Sequence, residues 1–420
     1  QNNSLLLISD LTELQLADAD GSGLVIDATG ATGNAATLSA KITDWVNEAE
    51  ETVAGNLTIG GGTVTLNNVD NIYTGQTIVQ EDAGLIVLGS LGRTANLANE
   101  GSVQISNNVA VYGLTGSGQL TIDDGKTFTV NTQNDLAVTN HLIFGTGQTG
   151  VFSVNGSGAQ SPINVTFAQS DNGQGAYRFT NVAIDFYDNS DNAIWNKQTL
   201  LNSHSLELID STLTIDSTNA NTQDNLLNTL IADGSTLQFT GITLARGESS
   251  SSVNPLLYVD SLQIEDGGLT LDVSANLTDE SNLLQLDNSP YDQALIKYAE
   301  DLGLNNEEID ELIRTSSAVS GGETIYQNGA AYITWGGGDI SVDEDKKIIS
   351  ASYMLTGIQL ADDENDQGLQ LTVAEGATDL ADQTLSAIIS DYEADGERVA
   401  GNLTLVGDMF LGAGRNDQGN

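Results

Sequence analysis

Short runs in which apolar and polar residues alternate recur along the chain, most densely between Ala54 and Ile105. Leu57 and Ile59, Val64 and Leu66, Leu85 and Val87, and Val103 and Ile105 are each spaced two apart. A period of two puts both members of a pair on one face of a strand, so each strand buries one face. Around Ile78 and Val79 the apolar residues are adjacent, and Thr77 with Val79 is the predicted inward pair. Clusters of Gly, Asn and Asp separate the runs and supply the turns. Strands this short and this closely set suit a β-solenoid, in which each coil contributes a few strands and stacks on the one before. The pattern continues through Gln119 to Asn131, Tyr177 to Asp188, Leu206 to Asp216 and Leu262 to Ser274. Like strands recur at roughly 20 to 25 residues, a coil-sized step. The predicted fold class is therefore all-β, one solenoid over residues 1–420.

Three stretches break the period. In 37–51, Leu38, Ile42, Trp45, Val46 and Ala49 fall at helical spacing, with Glu48, Glu50 and Glu51 mostly off that stripe. This predicts a short amphipathic helix with Trp45 in the core. In 380–393, Leu385, Ile388, Ile389 and Tyr392 predict a second. The third stretch, 289–318, predicts a helical hairpin. Ser289-Pro290 starts one helix carrying Ala294, Leu295, Tyr298 and Leu302, Gly303 ends it, and Asn305 caps a second helix carrying Ile309, Leu312 and Ile313. Strand pattern resumes at Thr324.

The chain also repeats itself. DLTELQLADADGSGLVIDATGAT at Asp10 to Thr32 returns as MLTGIQLADDENDQGLQLTVAEGAT at Met354 to Thr378. TLSAKITDW (Thr37 to Trp45) returns as TLSAIISDY (Thr384 to Tyr392), and VAGNLTIGG (Val53 to Gly61) as VAGNLTLVG (Val399 to Gly407). The offset moves only from 344 (Gln15 to Gln359) to 347 (Thr43 to Ser390). Residues 354–411 thus open a second copy of a module that begins near residue 10, and serial modules of this kind build a long rod.

One stretch carries a more particular signature. GGGTVTLNNVDNIYTGQTIVQEDAGLIVLGS has a strand ending in a small polar turn, then Asn-x-Tyr-Thr-Gly, a Thr-rich strand, a Gly-Leu pair and a closing Leu-Gly-Ser. It resembles the passenger-associated transport repeat of bacterial autotransporters. The matching residues are Asn71, Tyr73, Thr74, Gly75, Thr77, Gly84, Leu85, Leu88, Gly89 and Ser90, with Ile72 in a slot that is usually polar. The resemblance covers about 30 of the 420 residues. It implies a right-handed parallel β-helix of the kind found in self-associating, AIDA-like autotransporter adhesins. Such a passenger is displayed on the bacterial cell surface and anchored through an outer-membrane barrel outside this sequence.

Composition narrows the partners. Acidic residues number 58 against 12 basic, a formal charge of −46. That field repels nucleic acid and anionic membrane surfaces, so neither is expected as a partner. Cysteine is absent, which suits a chain that crosses an oxidising compartment unfolded. No signal peptide is evident, and no apolar run reaches the length of a membrane-spanning helix. The sequence reads as a segment of a longer protein.

Candidate chemistry is sparse. His141 and His204 stand alone, without the spacing of a zinc site, and neither a metal nor another cofactor is expected. Asp18, Asp20, Ser22 and Gly23 imitate the opening of a calcium loop, but the closing position is Thr29 where such a loop needs Glu. Polysaccharide-cleaving enzymes built on β-helices need two or three converging carboxylates. The best local cluster is Asp185, Asp188 and Asp191 beside Trp195, weighed as a ligand-binding candidate against the plainer reading of a solvated face. No catalytic residue is expected.

The function expected is a non-catalytic adhesin passenger. It would promote cell aggregation, biofilm formation or attachment to host matrix proteins or glycans through a lateral polar face. Its partners would be copies of itself on neighbouring cells, or those host surfaces. The alternative is a β-helical polysaccharide hydrolase or lyase with a carboxylate groove. Repetition favours the adhesin, because a catalytic site is built once while a contact surface gains from copying.

Overall fold

In the computed structural model the described residues are 11–17, 23–147, 149–167, 175–185, 205–216, 226–240, 255–273, 283–286, 291–315, 324–327, 331–361, 369–373, 384–385, 388–394, 397–406 and 410–411. They are almost entirely β, with one α-helix among them, Asn306–Leu312. Packing divides the chain into two compact units. The first is Gln1–Leu213 with Asp224–Ser235 and Leu262–Gly267; the second is Thr214–Gln223 with Thr236–Ser261 and Gly268–Asn420.

In the first unit most neighbouring strands are parallel and fall into three main ladders. Leu57, Thr77, Leu97 and Leu114 are successive register partners in one, at steps of 20, 20 and 17 residues. Val64, Leu85, Val103, Leu120 and Leu142 follow one another in the second. Phe128, Phe152, Tyr177, Leu206 and Leu230 do so in the third. The chain visits the ladders in rotation. Leu97–Asn99 lies in the first, Ser102–Ile105 in the second and Val109–Val111 in the third, and Leu114–Thr115 returns to the first.

The register stacks like on like. The second-ladder row named above is buried throughout, each member at most 2% exposed. The third ladder builds an aromatic column, with Phe152 6.1 Å from both Phe128 and Tyr177 between ring centroids. Each such side chain contributes roughly 1.5–3 kcal/mol on burial. One strand, Leu57–Leu66, serves two ladders through its central glycines. Gly62 has φ of +63°, and a Cβ there would lie 2.7 Å from the Ala28 carbonyl carbon, so only glycine fits the junction.

The helix expected over 37–51 is not formed. Lys41–Val46 is a strand, paired in parallel with Glu13–Leu16. Ile42 and Asp44 point inward, whereas Trp45 is 39% exposed rather than core. The β-branched Ile42, Thr43 and Val46 lose rotamer freedom in a helix and suit a strand. The acidic residues sit in the turn beyond, where the Asn47 side chain accepts from the Ala49 and Glu51 amides, both at 2.9 Å.

In the second unit the described parts of 380–393 are also strands, Thr384–Leu385 and Ile388–Ala394. Half of the expected hairpin is corrected too. Tyr291–Tyr298 is a strand with Ala294, Leu295 and Ile296 all fully buried, an apolar run covered on both faces. The other half is a helix, although Ile313, expected in it, opens the strand Ile313–Thr315 instead. Asn305 caps Asn306–Leu312, accepting from Glu307 and Glu308 while Glu308 accepts from the Asn305 amide at 2.8 Å. Parallel pairing is not continuous here. Thr324–Gln327, Ala331–Asp343 and Ile348–Leu360 form antiparallel pairs, and Tyr291–Tyr298 joins them antiparallel.

The sequence repeat is also a repeat of pairing. Gln15 lies opposite Thr43 in parallel, and their counterparts Gln359 and Ser390 do the same. Trp45 pairs antiparallel with Val53, and Tyr392 with Val399. Leu24 pairs with Leu57, and Leu369 with Leu403. The Leu24 amide bonds the Asn56 carbonyl at 2.9 Å, and the Leu369 amide bonds that of Asn402 at 2.9 Å.

Candidate functional site

The Asn-x-Tyr-Thr-Gly segment is a buried polar staple joining three successive turns of chain. Asn71 is 5% exposed. Its side-chain oxygen accepts from the Ile42 amide at 2.8 Å, and its Nδ2 donates to the Ser90 carbonyl at 2.7 Å. Asp44, 7% exposed, accepts from the Thr74 hydroxyl at 2.7 Å and the Thr74 amide at 3.0 Å. Gly75 lets the next turn approach, since a Cβ there would lie 2.1 Å from the Gly55 carbonyl oxygen.

Tyr73, Thr77 and Thr94 are all fully buried. Tyr73 Oη lies 2.7 Å from Thr77 Oγ1, which lies 2.7 Å from Thr94 Oγ1. Thr94 donates to the Gly75 carbonyl at 2.8 Å. A carbonyl only accepts, so the direction of the whole chain follows: Tyr73 donates to Thr77, Thr77 to Thr94 and Thr94 to Gly75. Burial pushes the Tyr73 hydroxyl up to about 12.

Asp44 is the residue that sequence reasoning missed. Its signal was its recurrence as Asp391 in the second copy. Of the predicted acidic cluster, Asp185 closes the strand Val182–Asp185, while Asp188, Asp191 and Trp195 lie outside the described residues. So do His204, Asp18, Asp20 and Ser22; Thr29 hydrogen-bonds the Asp27 carboxylate at 2.6 Å. Several exposed carboxylates serve as local caps. The Ser117 hydroxyl and amide hold Glu100 below the usual carboxylate range, and the Asn164 amide and side chain do so for Asp135. A general acid needs the opposite shift.

The outward face of the second ladder has an unusual composition. One row runs Ala35, Thr63, Gly84, Ser102, Gln119 and His141; the next runs Thr37, Thr65, Ile86, Gln104, Thr121 and Ile143. Every one of these twelve residues is exposed or half-buried. The two rows hold no Asp, Glu, Lys or Arg, on a chain with 58 acidic residues. The two rows are thus neutral with an aliphatic admixture, and at their border the Asp123 carboxylate accepts from Gln104 Nε2 at 3.0 and 3.1 Å.

No family model matches the chain, and no solved structure matches it. A relative described as "Uncharacterized protein YuaQ", from Escherichia coli (strain K12), is 38% identical over 102 residues. The matched region is 23% of this chain and 7% of that protein, so the chain spans a small part of its relative's length. Among the described residues, no helix is long and apolar enough to cross a membrane.

Proposed function

We propose that the chain is a non-catalytic segment of a cell-surface adhesin whose first unit is built as a right-handed parallel β-helix. On this reading a lateral face meets the same face of a copy on a neighbouring cell. The rotation of consecutive strands through three ladders supports the architecture, because parallel neighbours need crossover connections and these are right-handed almost without exception.

The two charge-free rows carry the functional reading. Two copies of a chain with a formal charge of −46 repel wherever carboxylates meet. Two rows without Asp, Glu, Lys or Arg reduce that repulsion at the contact and leave mostly hydroxyls, amides and aliphatic groups to pair. The same patch on both copies gives a self-complementary, two-fold contact. Each exposed hydrogen bond is worth about 1 kcal/mol, so binding must be summed over both rows and over many molecules. Cell aggregation and biofilm growth are the expected outcomes, with attachment to host matrix proteins or glycans as further uses of the surface.

The test is to display the parent protein on bacteria that do not otherwise aggregate, then delete this segment. Settling and biofilm mass should fall on deletion. Unchanged settling at equal surface display would instead make the segment a spacer.

A further inference from the structure

A cleft of about 410 Å³ opens where the strands Thr127–Asn131 and Val151–Asn155 end, within the first unit. That volume falls in the range of about 300–1,000 Å³ typical of small-molecule sites. It is separate from the charge-free rows and from the polar staple. We propose that this cleft binds a neutral saccharide, taking one or two pyranose rings of an uncharged, hydroxyl-rich glycan.

The cleft's lining residues are uncharged, and the geometry divides them into a fixed part and a free part. Asn155 is fixed. Its Nδ2 donates to Asn131 Oδ1 at 3.0 Å, and its Oδ1 accepts from the Ser157 hydroxyl at 2.6 Å and amide at 3.1 Å. Thr132 locks the adjoining loop, accepting from the Asn134 amide at 3.1 Å and donating to its carbonyl at 3.1 Å. Among the described residues, the side-chain amides of Gln133 and Asn134 bond no protein group, and both residues are exposed. Each offers a carbonyl and an NH₂, the mixed donor–acceptor set that a sugar hydroxyl satisfies from either side.

Tyr112 completes the wall and is 54% exposed, large for an aromatic residue among a core of buried rings. The face of a ring is negative, and the C–H face of a pyranose is apolar and weakly positive, so the two stack. The chemistry also discriminates. With no Lys or Arg in the lining, an anionic sugar has no counter-charge. With no carboxylate in it, a divalent cation lacks the charged ligands that would offset its desolvation. An apolar molecule would strip water from two amides and return nothing. Asp135, the adjacent acid, is occupied by the Asn164 amide at 2.9 Å.

The experiment is calorimetric titration of the whole chain with neutral oligosaccharides of glucose, mannose, galactose and N-acetylglucosamine. Oligogalacturonate serves as the anionic comparison. At least one neutral sugar should bind and the anionic one should not. Tyr112→Ala should weaken binding about tenfold while Tyr112→Phe retains it. Gln133→Ala with Asn134→Ala should weaken it comparably. All these residues are at the surface, and a matching far-UV spectrum shows that each variant folds. No heat from any neutral sugar, a preference for oligogalacturonate, or binding unchanged in Tyr112→Ala would overturn the proposal. Self-association is read on the same samples by sedimentation, so failure of one reading leaves the other standing.

Discussion

Replacing Tyr73 by Phe removes one oxygen from a fully buried chain of hydroxyls and leaves the ring in place. Because Tyr73 is the terminal donor, Thr77 keeps its own donated bond and loses only one that it accepts. That is the milder kind of loss, and the cost at neutral pH should be about 1 kcal/mol. The pH dependence makes the test sharper. The Tyr73 hydroxyl is pushed up to about 12 in the folded chain, against about 10 when unfolded. Below about pH 10 both states hold the proton and the stabilising contribution is complete. Between that pH and the folded value the unfolded chain releases the proton while the folded chain retains it, so stability falls as pH rises. The loss approaches about 2–3 kcal/mol. Urea unfolding of wild type and Tyr73→Phe, followed by far-UV circular dichroism across this range, isolates the effect, because the other tyrosines cancel in the difference. Wild type should be the more stable at neutral pH, lose that advantage above about pH 10 and then become the less stable. A difference that stays constant with pH would refute the burial of the Tyr73 hydroxyl.

Other substitutions follow from the same geometry. Asp44→Ala leaves the Thr74 amide and hydroxyl without their acceptor and should cost about 2–3 kcal/mol by urea unfolding. Phe152→Ala opens a cavity in the aromatic column between Phe128 and Tyr177 and should cost about 3–5 kcal/mol on the same assay. Trp45→Ser should cost about 1–2 kcal/mol, less than truncation of a core ring, because the indole is 39% exposed, and it should remove a component of fluorescence that acrylamide quenches.

The strands of the first unit were legible because period two is hard to mistake where inward residues are aliphatic and turns are Gly, Asn and Asp. Leu85 and Val87, or Val103 and Ile105, needed only their own spacing. The helix misreading at Lys41–Val46 arose because Leu38, Ile42, Trp45 and Val46 fit a helical stripe as well as a strand. Register against Glu13–Leu16 decides the matter, and that partner lies far away in sequence. Tyr291–Tyr298 was misread for a related reason, since a strand buried on both faces shows no alternation. The repeat was legible as sequence, but its pairings were not: Trp45 with Val53, and Tyr392 with Val399, fall in stretches whose apolar spacing also fits a helix. Tyr73 and Thr77 stood out through their motif, but Asp44 and Thr94 complete the staple from other turns of the chain. The charge-free face was invisible for a deeper reason. Ala35 and His141 belong to one row only after six strands have been aligned.

That face makes the most direct test. Ser102→Glu, Gln119→Glu and Thr121→Glu together place three carboxylates on the outward rows of two neighbouring strands without touching the inward Val103, Leu120 or Ile122. Bacteria displaying the parent protein with and without this triple substitution are compared for settling at equal surface display. The account predicts that the substituted cells stay dispersed at low salt and regain part of their settling as added salt screens the new charge. Settling as fast as wild type at low salt would contradict it.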